Sequence, residues 1–320
     1  MEVVLAQPRG FCAGVVRAID IVDMALDIHG APIYVFHEIV HNQYVVKGLR
    51  SCGAVFVESL QQVPEGAITI FSAHGVADAI VDEAKQRNLR IIDATCPLVT
   101  KVHLQAQRYS KAGYSIIIIG HIGHEEVDGT MGSVNGPVYV ISEVEEVQTL
   151  QVTDNEKLAY VTQTTLSVDD TRDVIEALKE RFSDIEGPSL DDICYATQNR
   201  QNAVRDLSES VDLLLVVGAR NSSNSNRLRE VGEVCKVPSY LIQDQNDLDP
   251  KWFKGNINKI GISAGASSPE VLVQGVIEQL RSYGVKQITE LDGMEESTTF
   301  RLPKTDLLQT ATSDHLAESV

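Results

Sequence analysis

The stretch VVLAQPRGFCAGVVRAIDIV, residues 3–22, decides how the chain is read. An apolar, β-branched run ends at a Pro-Arg-Gly turn, Cys12 follows, and a helix begins. Its apolar Val15, Ile19, Val22 and Leu26 are spaced by four, three and four residues. Cys12 therefore stands where the carboxyl end of a strand meets the amino end of a helix. Free N–H groups and the helix dipole gather there, and both favour a thiolate. The same arrangement returns twice. LRIIDATC, residues 89–96, puts Cys96 after a strand, with Leu98, Val102, Ala106 and Tyr109 at helical spacing behind it. DDICYATQ, residues 191–198, puts Cys194 in the same place, with Val204, Leu207 and Val211 behind it.

The repeat extends outward from each cysteine. Strands at Ile33–Phe36, Ile116–Ile119 and Leu213–Val217 run into the polar loops HEIVHN, GHIGHEEV and GARNSSNSN. His41, His124 and Asn224 in those loops stand 28 to 30 residues after their cysteines. A later strand in each unit also ends polar: ITIFSAHG with His74, AYVTQTT with Thr164 and Thr165, IGISAGAS with Ser267. Any α/β chain alternates strands and helices, but alternation alone does not put polar residues at the same two strand ends each time. In open α/β sheets, ligand groups gather beyond the carboxyl ends of the strands. Three units facing one another would bring the three cysteines to the centre, ringed by His41, His74, His124, Thr164, Asn224 and Ser267.

The fold class expected is α/β, with lobes at residues 14–96, at 97–193, and at 1–13 plus 194–295. The first strand completes the last unit. QITEL, near residue 289, is an extra strand without an assigned partner, and residues 296–320 read as an edge segment and a mobile tail.

Composition sets the outer bounds. The 320 residues are 43% hydrophobic and 5% aromatic, ordinary for a globular protein. No signal peptide and no apolar stretch of spanning length is visible, so no membrane association is expected. Five cysteines, an odd number and widely spaced, do not form a secreted disulfide framework, which points to a reducing cytoplasm. A net charge of −18 argues against nucleic acid as a partner. Any anionic ligand must be held by local donors against that overall field.

Three thiolates suit zinc or an iron–sulfur cluster. Structural zinc usually takes closely spaced cysteine pairs, and no such pair occurs. Cys52 and Cys235 fall at helix-to-strand junctions away from the polar strand ends and read as ordinary thiols. His37-Glu38-Ile39-Val40-His41 matches the zinc-protease pattern H-E-x-x-H, which needs a helix. Here it continues a strand into a loop, so the two rings would not converge on one metal.

The segments PRGFCAGV, VHN, FSAHGV, DATCPLVTKVH, GHEEVDGTMG, TQTTLSVDDT, DDICYATQNRQ, NSSNSNRL and SAGASSP together resemble the 4-hydroxy-3-methylbut-2-enyl diphosphate reductase family, in order from residue 1 to about 300. The resemblance implies a trefoil-like arrangement of three α/β lobes around a central [4Fe–4S] cluster. Cys12, Cys96 and Cys194 would hold the cluster and leave one iron open. It also implies an allylic diphosphate substrate bound by His41, His74, His124, Thr164, Ser222, Ser223, Asn224 and Ser267. Glu126 and Thr164 would be catalytic, and a one-electron donor such as ferredoxin or flavodoxin would supply the electrons. In one departure, the family commonly has proline between the histidine and the acid, where Glu125 stands here. Position still favours Glu126 as the acid. The contrasting activity is a non-redox iron–sulfur hydro-lyase acting on a phosphorylated hydroxy substrate.

Overall fold

The computed structural model describes residues 1–152, 157–188 and 192–308. The chain opens with β1 (Glu2–Leu5) and, across Cys12, α1 (Ala13–His29). Next come β2 (Ile33–Phe36), α2 (Gln43–Ser51), β3 (Ala54–Val57), β4 (Ile68–Phe71), α3 (Asp78–Gln86) and β5 (Arg90–Asp93). They give a parallel sheet in the order β3-β2-β4-β5. Then α4 (Pro97–Lys111), β6 (Ser115–Ile119), α5 (Glu125–Gly132), β7 (Val138–Ile141), α6 (Val144–Thr149), β8 (Leu158–Thr162) and α7 (Val168–Arg181) build a second sheet, β7-β6-β8.

The last unit holds α8 (Tyr195–Ser208), β9 (Leu213–Val217), α9 (Ser223–Val234), β10 (Ser239–Ile242), β11 (Lys259–Ala264), α10 (Glu270–Ser282) and β12 (Gln287–Glu290). Its sheet runs β10-β9-β11-β1-β12. The amino-terminal strand thus lies inside the sheet of the last unit, with Val3 opposite Ile260 on one side and Ile288 on the other. This also supplies the partner of QITEL that the sequence leaves open.

Runs such as IIII at 116–119 and LLLVV at 213–217 are apolar at every position because helices cover both faces of these sheets. Ile117 and Ile119 pack into one core with α7, whereas Ile116 and Ile118 pack into another with α4. In the last unit Leu213, Leu215 and Val217 face α10, and Leu214 and Val216 face α8 and α9. The result is a trefoil-like set of three α/β lobes whose strands present their carboxyl ends to a common centre.

Three sequence expectations need correction. Cys194 is not preceded by a strand among the described residues; the second sheet has only a single bridge, Glu186 to Ala159, where a fourth strand would lie. A Cβ on Gly187 would sit 2.1 Å from the Tyr160 ring, whose hydroxyl donates to the Pro188 carbonyl at 2.6 Å.

Glu126 lies in the first turn of α5 rather than in a loop, because His124 caps that helix by accepting the Glu126 N–H at 3.1 Å. Finally, residues 296–308 do not trail free. Glu296 pairs with Arg200, Arg17 donates to the Arg301 carbonyl, and Leu308 joins the core beneath α1. The rest of the expected tail, 309–320, lies outside the described residues.

Candidate active site

Cys12, Cys96 and Cys194 are the N-cap residues of α1, α4 and α8. Each cysteine N–H donates to a carbonyl at the end of a neighbouring strand: Cys12 to Ala266, Cys96 to Ala73 and Cys194 to Thr164, at 3.0–3.1 Å. These acceptors are Thr164 itself and the residues just before Ser267 and His74, so the repeat seen in sequence is a repeat of hydrogen bonds. The other polar set opens helices. Asn42, next to His41, caps α2, His124 caps α5, and Ser222 caps α9 with Ser223 and Asn224 in its first turn.

A cyclic set of basic side chains locks the three cysteine loops together. From α1, Arg17 donates to the carbonyls of Ala94 and Thr95, just before Cys96, at 3.1 and 3.0 Å. From α4, Lys101 pairs at 3.6 Å with buried Asp192, two residues before Cys194. From α8, Arg200 donates to the carbonyls of Gly10 and Phe11, just before Cys12, at 2.7–3.2 Å. The helix after each cysteine therefore grips the loop before the next, and the ring closes. Arg200 is 0% exposed and also pairs with Glu296 at 3.0 Å. None of the three basic residues drew notice in the sequence, although each stands five or six residues after its cysteine.

One cavity of about 110 Å3 is lined by all the residues expected to hold the cluster, bind substrate or act as acid. Its lining comprises the cysteines Cys12, Cys96 and Cys194, called the floor below, the pair Glu126 and Thr164, called the wall, the group Ser222, Ser223, Asn224 and Ser267, and the histidines His41, His74 and His124, called the mouth. The floor fits a metal–sulfur group. A Cβ on Gly14 would lie 2.7 Å from the Cys96 sulfur and 3.9 Å from that of Cys12, so only glycine lets the two thiols converge there. Burial pushes the Cys96 thiol up to about 11 and the Cys194 thiol up to about 12. That overrides the thiolate preference expected from the helix ends: desolvation outweighs a partial dipole charge. Thiols so placed ionise when a bound cation compensates them.

Glu126 is 2% exposed. Its Oε1 accepts the Thr164 N–H at 2.6 Å and its Oε2 the Thr164 hydroxyl at 2.9 Å. Burial raises its carboxyl to about 7, partly offset by those two bonds. Asn224 accepts the Ala266 N–H at 2.9 Å through Oδ1, while its buried Nδ2 has no protein partner and is free to donate to a ligand. Ser267 donates to the His41 carbonyl at 3.0 Å, joining two lobes.

At the mouth the His41 and His74 rings stack at 4.1 Å, and His124 meets both edge-on. His41 Nδ1 lies 3.4 Å from Glu38, and His74 Nδ1 2.8 Å from Glu125. Burial and the other two imidazoles push His124 down to about 3. Burial alone would raise Glu125, but His74 and then His41 and His37 draw it down to about 2. The H-E-x-x-H segment is not helical, and its first histidine turns to Glu125 at 3.8 Å. His103, on α4, is partly buried against Gly75 and Gly129.

Three half-buried thiols from three helix starts, lining one cavity with a buried acid and a set of hydroxyl, amide and imidazole groups, fit a redox metal–sulfur enzyme acting on a small anionic substrate. The comparisons narrow this. The family model described as LytB protein matches residues 3–281. A 4-hydroxy-3-methylbut-2-enyl diphosphate reductase of Mannheimia succiniciproducens is 59% identical over 307 residues, covering 95% of this chain and 98% of that one. A second such reductase, from Bradyrhizobium diazoefficiens, is 60% identical over 303 residues, 95% and 98% of the two chains. Among solved structures, E-1-hydroxy-2-methyl-but-2-enyl-4-diphosphate reductase of Plasmodium falciparum superposes with a TM-score of 0.90 at 41% identity, covering 94% and 95% of the two chains. The chain belongs to the LytB family.

Proposed function

We propose that the chain is an iron–sulfur oxidoreductase that removes the hydroxyl group of (E)-4-hydroxy-3-methylbut-2-enyl diphosphate reductively. The products are isopentenyl and dimethylallyl diphosphate, and the reaction ends the methylerythritol phosphate route to isoprenoids. The observation that carries this reading is the buried Glu126–Thr164 pair, set between a three-thiol floor and a neutral donor ring. Cys12, Cys96 and Cys194 would hold one [4Fe–4S] cluster with three cysteine ligands, which would supply electrons singly and Lewis acidity toward the alcohol end.

The remaining work falls to side chains. Ser222, Ser223, Asn224 and Ser267, with the amino end of α9 and the three histidines, bind the diphosphate. Donors that carry no fixed charge suffice because each bond to an ionised phosphate oxygen is charge-assisted. Protonated Glu126 donates from Oε2 to Thr164 Oγ1, and the Thr164 hydroxyl then turns its own hydrogen toward the substrate. One proton leaves with the hydroxyl as water, a second goes to carbon, and two electrons complete the balance. The electrons come from a one-electron donor such as ferredoxin or flavodoxin. A reducing cytoplasm accords with the five cysteines, all free.

An anaerobic assay with reduced methyl viologen tests the reading. Two viologens are consumed per product formed, whereas a hydro-lyase consumes none. Cys12→Ser, Cys96→Ser and Cys194→Ser each lose iron; a full complement of iron in any of them refutes the assigned ligands.

A further inference from the structure

Two histidines of the mouth, both lining the cavity, carry their protons differently. His124 Nδ1 accepts the Glu126 N–H at 3.1 Å, so its neutral ring holds its proton at Nε2 and can donate to an anion as it stands. His74 is set the opposite way. Its Nδ1 lies at an ion-pair distance of 2.8 Å from Glu125 Oε2, an oxygen closed off from solvent and engaged in no well-aligned hydrogen bond, and 3.4 Å from the Ser72 hydroxyl. A carboxylate can only accept, so Nδ1 must carry the proton, and neutral His74 is left with a bare lone pair at Nε2. Facing a diphosphate, that nitrogen repels.

We propose that Glu125 is a positioning residue that makes diphosphate binding take up a proton. Its carboxylate holds His74 Nδ1–H, so His74 becomes a donor to the anion only when a proton is added at Nε2. The proposal rests on the cavity being the diphosphate site. In the bound state the imidazolium donates from both nitrogens, to Glu125 and to phosphate, and the Glu125–His74 pair is neutral. In the free state burial holds His74 below its ordinary value, while the histidines keep Glu125 ionised.

The groups facing His74 are the stacked His41 ring, braced by Glu38, the edge of His124, the Ser72 hydroxyl, and Glu125 itself. His37 approaches Glu125 from its other oxygen at 3.8 Å.

Calorimetric titration of cluster-loaded protein with inorganic diphosphate, in two buffers of different ionisation enthalpy, reads the proton directly. At pH 8 wild type takes up about one proton more than Glu125→Gln, and its affinity falls about tenfold more per pH unit. The Gln amide can donate to Nδ1 and leave a neutral Nε2–H for the anion. Comparing the two proteins cancels the titration of diphosphate itself. The same difference appears in the pH dependence of KM and not in that of kcat. Glu125→Pro gives the same result and serves if Glu125→Gln loads its cluster poorly, as judged by iron content and absorbance. Equal proton uptake and equal slopes in wild type and variant overturn the proposal. Unchanged diphosphate affinity in His74→Ala sinks instead the reading of the cavity as the diphosphate site.

Discussion

Glu125 and Glu126 are adjacent in sequence and share the first turn of one helix, yet the mouth and the wall of the cavity give them opposite chemistry. A helix turns about 100° per residue, so Glu125 leans out among His37, His41 and His74 while Glu126 points inward to Thr164. Imidazoles draw the first carboxyl down to about 2; burial with one hydroxyl and one amide for company lifts the second to about 7. In the proposed reaction the first would be a fixed charge that organises donors, and the second a proton source near neutral pH. Surroundings, rather than residue type, assign the two roles.

The sharpest break of that contrast is Glu126→Gln, which keeps shape and hydrogen bonding but has no transferable proton. Turnover falls on the order of 10²–10⁴ with iron content unchanged; an active Glu126→Gln beside an inactive, cluster-loaded Glu125→Gln would exchange the two roles. Next in size is Arg200→Met, which removes the buried donor that ties the Cys12 loop to α8 and strands Glu296. Breaking such a pair costs about 3–5 kcal/mol, read as an earlier unfolding midpoint and faster cluster loss.

At the mouth, His74→Ala removes a bond to an ionised group, about 1.5–3 kcal/mol, so KM rises tenfold or more. Smaller again is the pH response of the wall. Glu126 is active as the acid, so kcat declines as pH rises through about 7, roughly tenfold per unit beyond it, and this limb disappears in the residual activity of Glu126→Gln. Cys52→Ser and Cys235→Ser, both at exposed sites, should change neither iron content nor rate.

Much of the site was legible because it is a repeat. Cysteines at strand-to-helix junctions, followed at steady distances by polar strand ends, mark the centre of an α/β assembly before any contact is known. The hydrogen bonds from Cys12, Cys96 and Cys194 to Ala266, Ala73 and Thr164 are the physical form of that spacing. That the described residues before Cys194 make only one bridge to β8 was not legible, because the close approach of Gly187 to the Tyr160 ring is a tertiary contact. Nor was the helix that carries Glu126, since GHEEVDGTMG has weak apolar periodicity and its start is set by the His124 cap.

By itself the sequence determined most strands and the helices that follow the cysteines, the insertion of the first strand into the last unit, and the set of residues that line the central cavity. Those depend on local periodicity and on where polar residues interrupt it. Tertiary structure alone decided that the buried thiols resist ionisation and that Arg17, Lys101 and Arg200 close a ring. It also decided that one of two adjacent glutamates keeps its proton near neutral pH. Each of these follows from desolvation or from a partner distant in the chain, and neither burial nor such a partner can be read from a residue and its neighbours.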